Sequence, residues 1–178
     1  AKAYHTKRTA VGNGFGGIVG INRQIYLLTN CENYGQISIA NTNVDRVYLY
    51  VGGVVGWALS EEKNSGSTYG AFTMKDCANY ADLTFGGKAE LYYAGGVVGS
   101  VLANEDKSKR WWEEISGLKN IANLTFTATS EAENPGYAFG GVVGMVEVTA
   151  LATAKHANIE INNCVVYGNL NADNMKGK

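Results

Sequence analysis

The side chains best suited to nucleophilic or metal chemistry are few: Cys31, Cys77 and Cys164, with His5 and His156. Thiols act as metal ligands or redox pairs when they are grouped at short spacings such as C-x-x-C. Here they stand 46 and 87 residues apart. No serine, cysteine or aspartate arrangement surrounds either histidine, so no catalytic residue and no metal ligand is assigned, and no cofactor is expected. The stretch Lys109-Arg110-Trp111-Trp112-Glu113-Glu114 is the densest cluster of recognition-type residues. Paired tryptophans beside charges suit stacking on a sugar ring or anchoring a protein partner. A fold-down of one tryptophan as a lid on a small apolar cluster is the plainer alternative. Glu113 and Glu114 would make a glycosidase acid pair only if both faced one substrate, yet neighbours on a strand point to opposite faces. Gly-Gly-Val-Val-Gly would cradle a phosphate only as a single copy opening a helix, with a lysine or acidic companion.

That glycine motif is not single. It reads GGIVG from Gly16 and GGVVG from Gly52, Gly95 and Gly140, at spacings of 36, 43 and 45 residues. A second motif runs in phase with it: NCENYGQISI from Asn30, DCANYADLTF from Asp76 and NCVVYGNLNA from Asn163. The third copy is degenerate, and we align it as NIANLTF from Asn120, with Ile121 at the cysteine position and about three residues missing. Repetition at this period is the signature of a stacked-repeat architecture. Three positions before the cysteine this alignment places Leu28, Met74, Leu118 and Ile161, and six positions after it Ile37, Leu83, Leu124 and Leu170. Two further on come Ile39, Phe85, Phe126 and Ala172. Apolar residues two apart mark strands with one buried face.

The elements that position these residues follow. Each unit carries about three short strands, and one unit alone cannot close a core. Stacked units can, each burying its faces against the next. Parallel crossovers in one sheet are nearly always right-handed. We therefore read an all-β chain, a right-handed parallel β-solenoid of about four rungs, with inserts at one corner. A propeller also fits the period but needs four strands per blade. The domain is single, 1–178, with units at about 14–48, 49–91, 92–136 and 137–172. Glycines let bulky neighbours such as Phe15, Trp57, Phe139 and Met145 fill the interior, or let sheets approach closely.

The cysteine position, Cys31, Cys77, Ile121 and Cys164, reads as a buried column of apolar fillers, since free cysteine is among the most buried residue types. A disulfide between stacked rungs is the alternative. Asn33, Asn79 and Asn123 read as a ladder of side-chain amides bonding from rung to rung, which Val166 interrupts. The Tyr-Gly and Tyr-Ala pairs after them are turn chemistry.

Composition sets the outer bounds. With 46% apolar and 17% charged residues and a net charge of −1, the chain is neither disordered nor fitted by its field to attract nucleic acid. It has no apolar run long enough to span a bilayer, and the opening AKAYHTKRTAVG lacks the apolar middle of a signal peptide. Glycine is abundant at 23 residues and proline appears once.

GGVVG followed by NCENYGQI, DCANYADL and NCVVYGNL resembles the GLUG motif repeat family, over roughly residues 14–172. The resemblance implies a tandem-repeat segment of a large bacterial surface or secreted protein, often an adhesin, with flanking domains, displayed outside the cell. It carries no catalytic residues across. Between the glycine motif and the cysteine position the first unit has 11 steps, whereas the next three have 21, 22 and 20. The longer inserts, at one corner, are the expected binding surface, with Lys109, Arg110, Trp111, Trp112 and Glu113 as its candidate residues. The expected function is a non-catalytic adhesion module for glycan or a host or bacterial surface protein. A structural stalk and a carbohydrate-active enzyme on a β-helix are the alternatives.

Overall fold

The computed structural model describes residues 11–22, 27–41, 47–59, 72–104, 113–129, 136–149 and 159–172. The first rung runs through β1 (Val11–Gly16), β2 (Val19–Asn22), β3 (Leu27–Thr29), β4 (Glu32–Asn33) and β5 (Ile37–Asn41). The second follows with β6 (Val47–Gly52), β7 (Val55–Leu59), β8 (Thr73–Lys75), β9 (Ala78–Asn79) and β10 (Leu83–Gly87). The third has β11 (Leu91–Gly95), β12 (Val98–Asn104), β13 (Glu113–Ser116), β14 (Lys119–Asn120) and β15 (Leu124–Phe126). The fourth has β16 (Gly136–Gly140), β17 (Val143–Thr149), β18 (Ile159–Asn162), β19 (Val165–Val166) and β20 (Leu170–Asn171). Equivalent strands pair in parallel to make five sheets of four strands, each in rung order. We call them A (β1-β6-β11-β16), B (β2-β7-β12-β17), C (β3-β8-β13-β18), D (β4-β9-β14-β19) and E (β5-β10-β15-β20). The chain is a parallel β-solenoid of four rungs.

Each rung holds five strands where sequence reading counts three. The glycine motif is two strands meeting at a bend, since Gly52 ends β6 and Val55 opens β7. The cysteine segment is likewise broken by a residue in left-handed conformation: Asn30, Asp76 and Asn163 at φ of 53°, 53° and 52°, and Gly117 at 65°. Asparagine, aspartate and glycine are the residues that tolerate this region.

That turn corrects the alignment of the third rung. Lys119 pairs in register with Ala78 and Val165, and Asn120 with Asn79 and Val166. Leu118, not Ile121, therefore stands between Cys77 and Cys164, and Asn120, not Asn123, carries the ladder amide. Ile115, not Leu118, lies between Met74 and Ile161. No residues are missing: Gly117 supplies the turn the other rungs make with Asn or Asp. Ile121 takes the tyrosine position, and its N–H donates to the Asn79 carbonyl as that of Tyr80 donates to Asn33.

Packing arranges the sheets as layers E, A, B and C, with D bridging C to E. One core lies between A and E, where Leu49, Val51, Ala94 and Tyr92 meet Leu83, Phe85, Leu124 and Phe126. The other lies between B and C, where Val55, Ala58, Val98 and Val101 meet Met74, Ile115, Cys77 and Leu118. Side-chain sizes alternate along the first core. Sheet A runs Phe15, Val51, Ala94, Phe139 in register, while sheet E offers Ile39, Phe85, Phe126 and, just beyond β20, Ala172. A large ring on one side meets a small group on the other, and Phe139 packs on Phe126 at 5.1 Å between ring centroids.

Sheets A and B face each other without a side-chain layer at their glycine end. A Cβ on Gly56 would overlap the Phe15 amide nitrogen and the Gly20 carbonyl. At the bend, a Cβ on Gly53 would come 2.5 Å from Asn79 Cγ. The asparagine column of D thus seats on the glycine bend. Asn33 Nδ2 donates to Asn79 Oδ1 at 2.8 Å, and Asn79 Nδ2 donates to Asn120 Oδ1 at 2.9 Å. Each also donates into its own turn, to the carbonyls of Gly35, Ala81 and Ala122. Val166 ends the run.

Gly56→Ala should lower stability by about 1–3 kcal/mol through overpacking, and Asn79→Ala by about 2 kcal/mol or more through orphaned buried amides. Gly136→Ala is the control, because its Cβ would meet nothing closer than 3.6 Å, and it should stay within about 0.5 kcal/mol of the parent. Urea denaturation followed by circular dichroism reads all three.

Candidate functional site

The variable inserts leave sheet B and return into sheet C. Their stems are β7 to β8, β12 to β13 and β17 to β18. Because B and C keep the same strand order, these stems lie side by side at one edge of the solenoid. Lys109, Arg110, Trp111 and Trp112 fall outside the described residues. Glu113 opens β13, in register with Ile159. It belongs to the middle of the three stems, and Trp112 immediately precedes it in the chain.

Below this edge the outer face of sheet C is polar. Lys75 Nζ meets Glu114 Oε2 at 2.7 Å, and Ser116 Oγ donates to Glu114 Oε1 at 3.0 Å. The hydrogen bond from Lys75, with a smaller contribution from Ser116, holds the Glu114 carboxyl below its ordinary range. One rung on, Asn162 Nδ2 donates to Glu160 Oε1 at 2.6 Å. Glu114 is therefore committed to a cation and a hydroxyl of its own sheet, which suits an ionised, hydrogen-bonding surface group better than a proton donor. Among the described residues no group of three or more His, Cys, Asp and Glu is placed to hold a metal ion.

A second feature near the same edge was not singled out from sequence as a site. Past the glycine contact, sheets A and B diverge and aromatic side chains fill the wedge. Tyr50 stacks on Trp57 with centroids 4.1 Å apart and planes within 8°, and Tyr93 meets Tyr50 edge-on at 5.7 Å. Gly12 gives the Trp57 ring its space, since a Cβ there would come within 2.9 Å of it. Burial first, then the Glu147 carboxylate, pushes the Tyr93 phenol up to about 12. Tyr50 is raised by the same two causes and Tyr92 chiefly by burial. Trp57 Nε1 and Ser100 Oγ are buried in this wedge with no hydrogen-bond partner among the described residues, which is uncommon for buried polar groups. The sequence signal was the Tyr-x-Gly-Gly-Val-Val-Gly-Trp run from Tyr50 to Trp57, but both parities of that run are apolar and its facing cannot be read from pattern alone.

The cysteine column is structural in its contacts. Cys31, Cys77 and Cys164 are free thiols packed in the B–C core. The Cys77 and Cys164 thiols each donate to the carbonyl two residues before, at 3.3 Å. Burial pushes the Cys77 thiol up to about 11, so it is a poor nucleophile at neutral pH. Asn123, displaced from the ladder, works on the neighbouring turn. Its N–H donates to Asp82 Oδ1 at 2.8 Å, and its Oδ1 accepts from Asn169.

At the opposite corner, where D turns into E, Tyr34, Tyr80, Ile121 and Tyr167 form an exposed column. Tyr34 and Tyr80 stack with centroids 4.8 Å apart and planes within 5°. Their ring faces look along the solenoid axis and their edges outward. No family model, curated protein or solved structure matches the chain.

Two expectations follow. Under native conditions Cys31 and Cys164, both half-exposed at the ends of the column, should react with a chromogenic disulfide reagent well before Cys77, which should wait for unfolding. Mass spectrometry of the labelled peptides reads the order. Tyr93 binds its proton more tightly folded than unfolded, with a value of about 12 against an ordinary 10.0. Its contribution to stability is complete below pH 10 and is lost as pH rises toward 12. Chemical denaturation across that window, with phenolate absorbance as a second signal, should show falling stability.

Proposed function

We propose that the chain is a non-catalytic binding module displayed on a bacterial surface, recognising a glycan or a surface protein through its insert edge. The observation that carries this reading is the adjacency of the three insert stems. A repetitive scaffold that gathers its variable segments at one edge is how repeat proteins build recognition surfaces. The Trp111-Trp112 pair precedes the middle stem, and the polar face of sheet C with Lys75, Glu114 and Glu160 lies beside it. A tryptophan pair suits sugar or protein recognition, and a carboxylate committed to a cation and a hydroxyl of its own sheet, as Glu114 is, suits bond cleavage poorly. The extracellular setting and the likeness to GLUG repeats rest on the GGVVG motif and on NCENYG, DCANYA and NCVVYG. The stalk reading is favoured by one observation, that among the described residues equivalent strands repeat in order through all four rungs.

Glycan-array and surface-display screens test the reading. Binding that falls at least about tenfold in Trp111→Ala and Trp112→Ala, with unchanged melting temperature, is the expected result. Silence across glycans and candidate surface proteins would leave the stalk. Release of reducing sugar from polysaccharide mixtures would instead establish an enzyme.

A further inference from the structure

The geometry points to head-to-tail association: we propose that the fourth rung of one molecule seats against the first rung of a second copy, continuing the solenoid between molecules. Several columns present similar residue types at the two ends. Phe139 and Phe15, Val143 and Val19, Cys164 and Cys31, Tyr167 and Tyr34, Leu170 and Ile37 occupy equivalent positions. These columns are closed in the middle rungs and open at the fourth, while at the first rung Ile18 and Tyr34 are exposed and Leu28 is buried. Leu83 and Leu124 are buried while Leu170 is 44% exposed, and Met74 and Ile115 are buried while Ile161 is 43% exposed.

The backbone is complementary in direction as well as in register. In sheet D each rung donates to the one before it: Ala78 N–H to the Cys31 carbonyl, Tyr80 to Asn33, Val165 to Leu118, Tyr167 to Asn120. By the same pattern the N–H groups of Glu32 and Tyr34 point out of the first rung, and the carbonyls of Cys164 and Val166 point out of the fourth. A second copy brings these two sets together at the ordinary strand spacing. Tyr34, 69% exposed, would then stack on Tyr167, 72% exposed, as Tyr34 already stacks on Tyr80.

Native sheets guard open edges with lysine, proline or inward charges. The described residues of the first and fourth rungs contain no lysine, arginine or proline, and their acids are Glu32, Glu147 and Glu160. These do not meet on stacking. Glu32 shares a column with Val165, and Glu160 with Leu27. Unlike pairs also occur: besides these two, Tyr137 shares a column with Asn13, and in the amide column Val166 would meet Asn33. A heterologous contact of this kind does not close on itself, so it adds molecules in line.

Sedimentation velocity on the whole chain over a concentration series tests this without reference to any ligand, so its outcome is separable from that of the binding-module reading. The expected result is growth past the dimer with concentration. Ile18→Lys with Tyr34→Lys should block the first-rung end, and Ile161→Lys with Leu170→Lys the fourth. All four sites are more than a third exposed, and melting curves check that the variants fold. Each double variant alone should be monomeric, and their equimolar mixture should give a dimer and nothing larger. Val166→Asn extends the amide ladder to Asn33 of the second copy and should lower the dissociation constant about five- to tenfold. A parent chain that stays monomeric at its highest soluble concentration would overturn the proposal, as would a mixture of blocked variants that does not dimerise or a Val166→Asn chain that associates no more tightly.

Discussion

The contact on which this molecule depends is the seating of one asparagine column on one glycine bend. Asn33, Asn79 and Asn120 fill the space above Gly17, Gly53 and Gly96, where a Cβ would overlap each amide. Asn33 and Asn79 donate upward to the next rung, and all three donate sideways to their own turn. Three separate demands meet there: the bend must be tight, the short D strands must cross it, and buried amides must be bonded. Asparagine answers the last two because it carries a donor and an acceptor on one planar group. Glycine answers the first.

From that contact the layers follow. A bend with no side chains brings A and B together back to back, so each has one face left to bury. E covers the free face of A, and C covers that of B. The result is two thin cores in place of one. Thin cores leave little room for error in volume, which accounts for the alternation of Phe15, Val51, Ala94 and Phe139 against Ile39, Phe85, Phe126 and Ala172. It also accounts for the cysteines. A small, weakly polar filler suits the tight column beside the left-handed turn, and Leu118 takes its place in the rung whose turn residue is Gly117.

The solenoid, its four rungs and its insert corner were legible because apolar residues recur at fixed offsets from Gly-Gly-Val-Val-Gly or from the cysteine. The third rung was misaligned for a physical reason. Its turn uses Gly117 in place of Asn or Asp and its column uses Leu118 in place of Cys, so the two landmarks vanished together. The Asn of "NLTF" then stood in for the true ladder residue, Asn120. Leu124, six residues after Leu118, was the surviving clue. Five strands read as three because glycine bends and single left-handed residues interrupt apolar runs without changing their composition. The Tyr50-Trp57-Tyr93 wedge was invisible for the converse reason: both faces of a strand between two layers are apolar, and alternation carries no sign.

Insert length and register are independent in this architecture. Between sheets B and C the chain crosses from Asn22 to Leu27 in the first rung but from Leu59 to Thr73 in the second. Even so, Leu27 pairs with Thr73, Thr73 with Glu114, and Glu114 with Glu160. Both stems of each crossing are pinned by parallel ladders, so added residues change only the closure entropy of the crossing, which grows slowly with length. The D corner has no such freedom, because its asparagines must reach the glycine bend in every rung. The longest crossing among the described strands, from Leu59 to Thr73, is accordingly at the edge where β7, β12 and β17 end, beside the aromatic wedge and the polar face of sheet C. A scaffold held this tightly along its axis can change what it presents at that edge without changing how it folds.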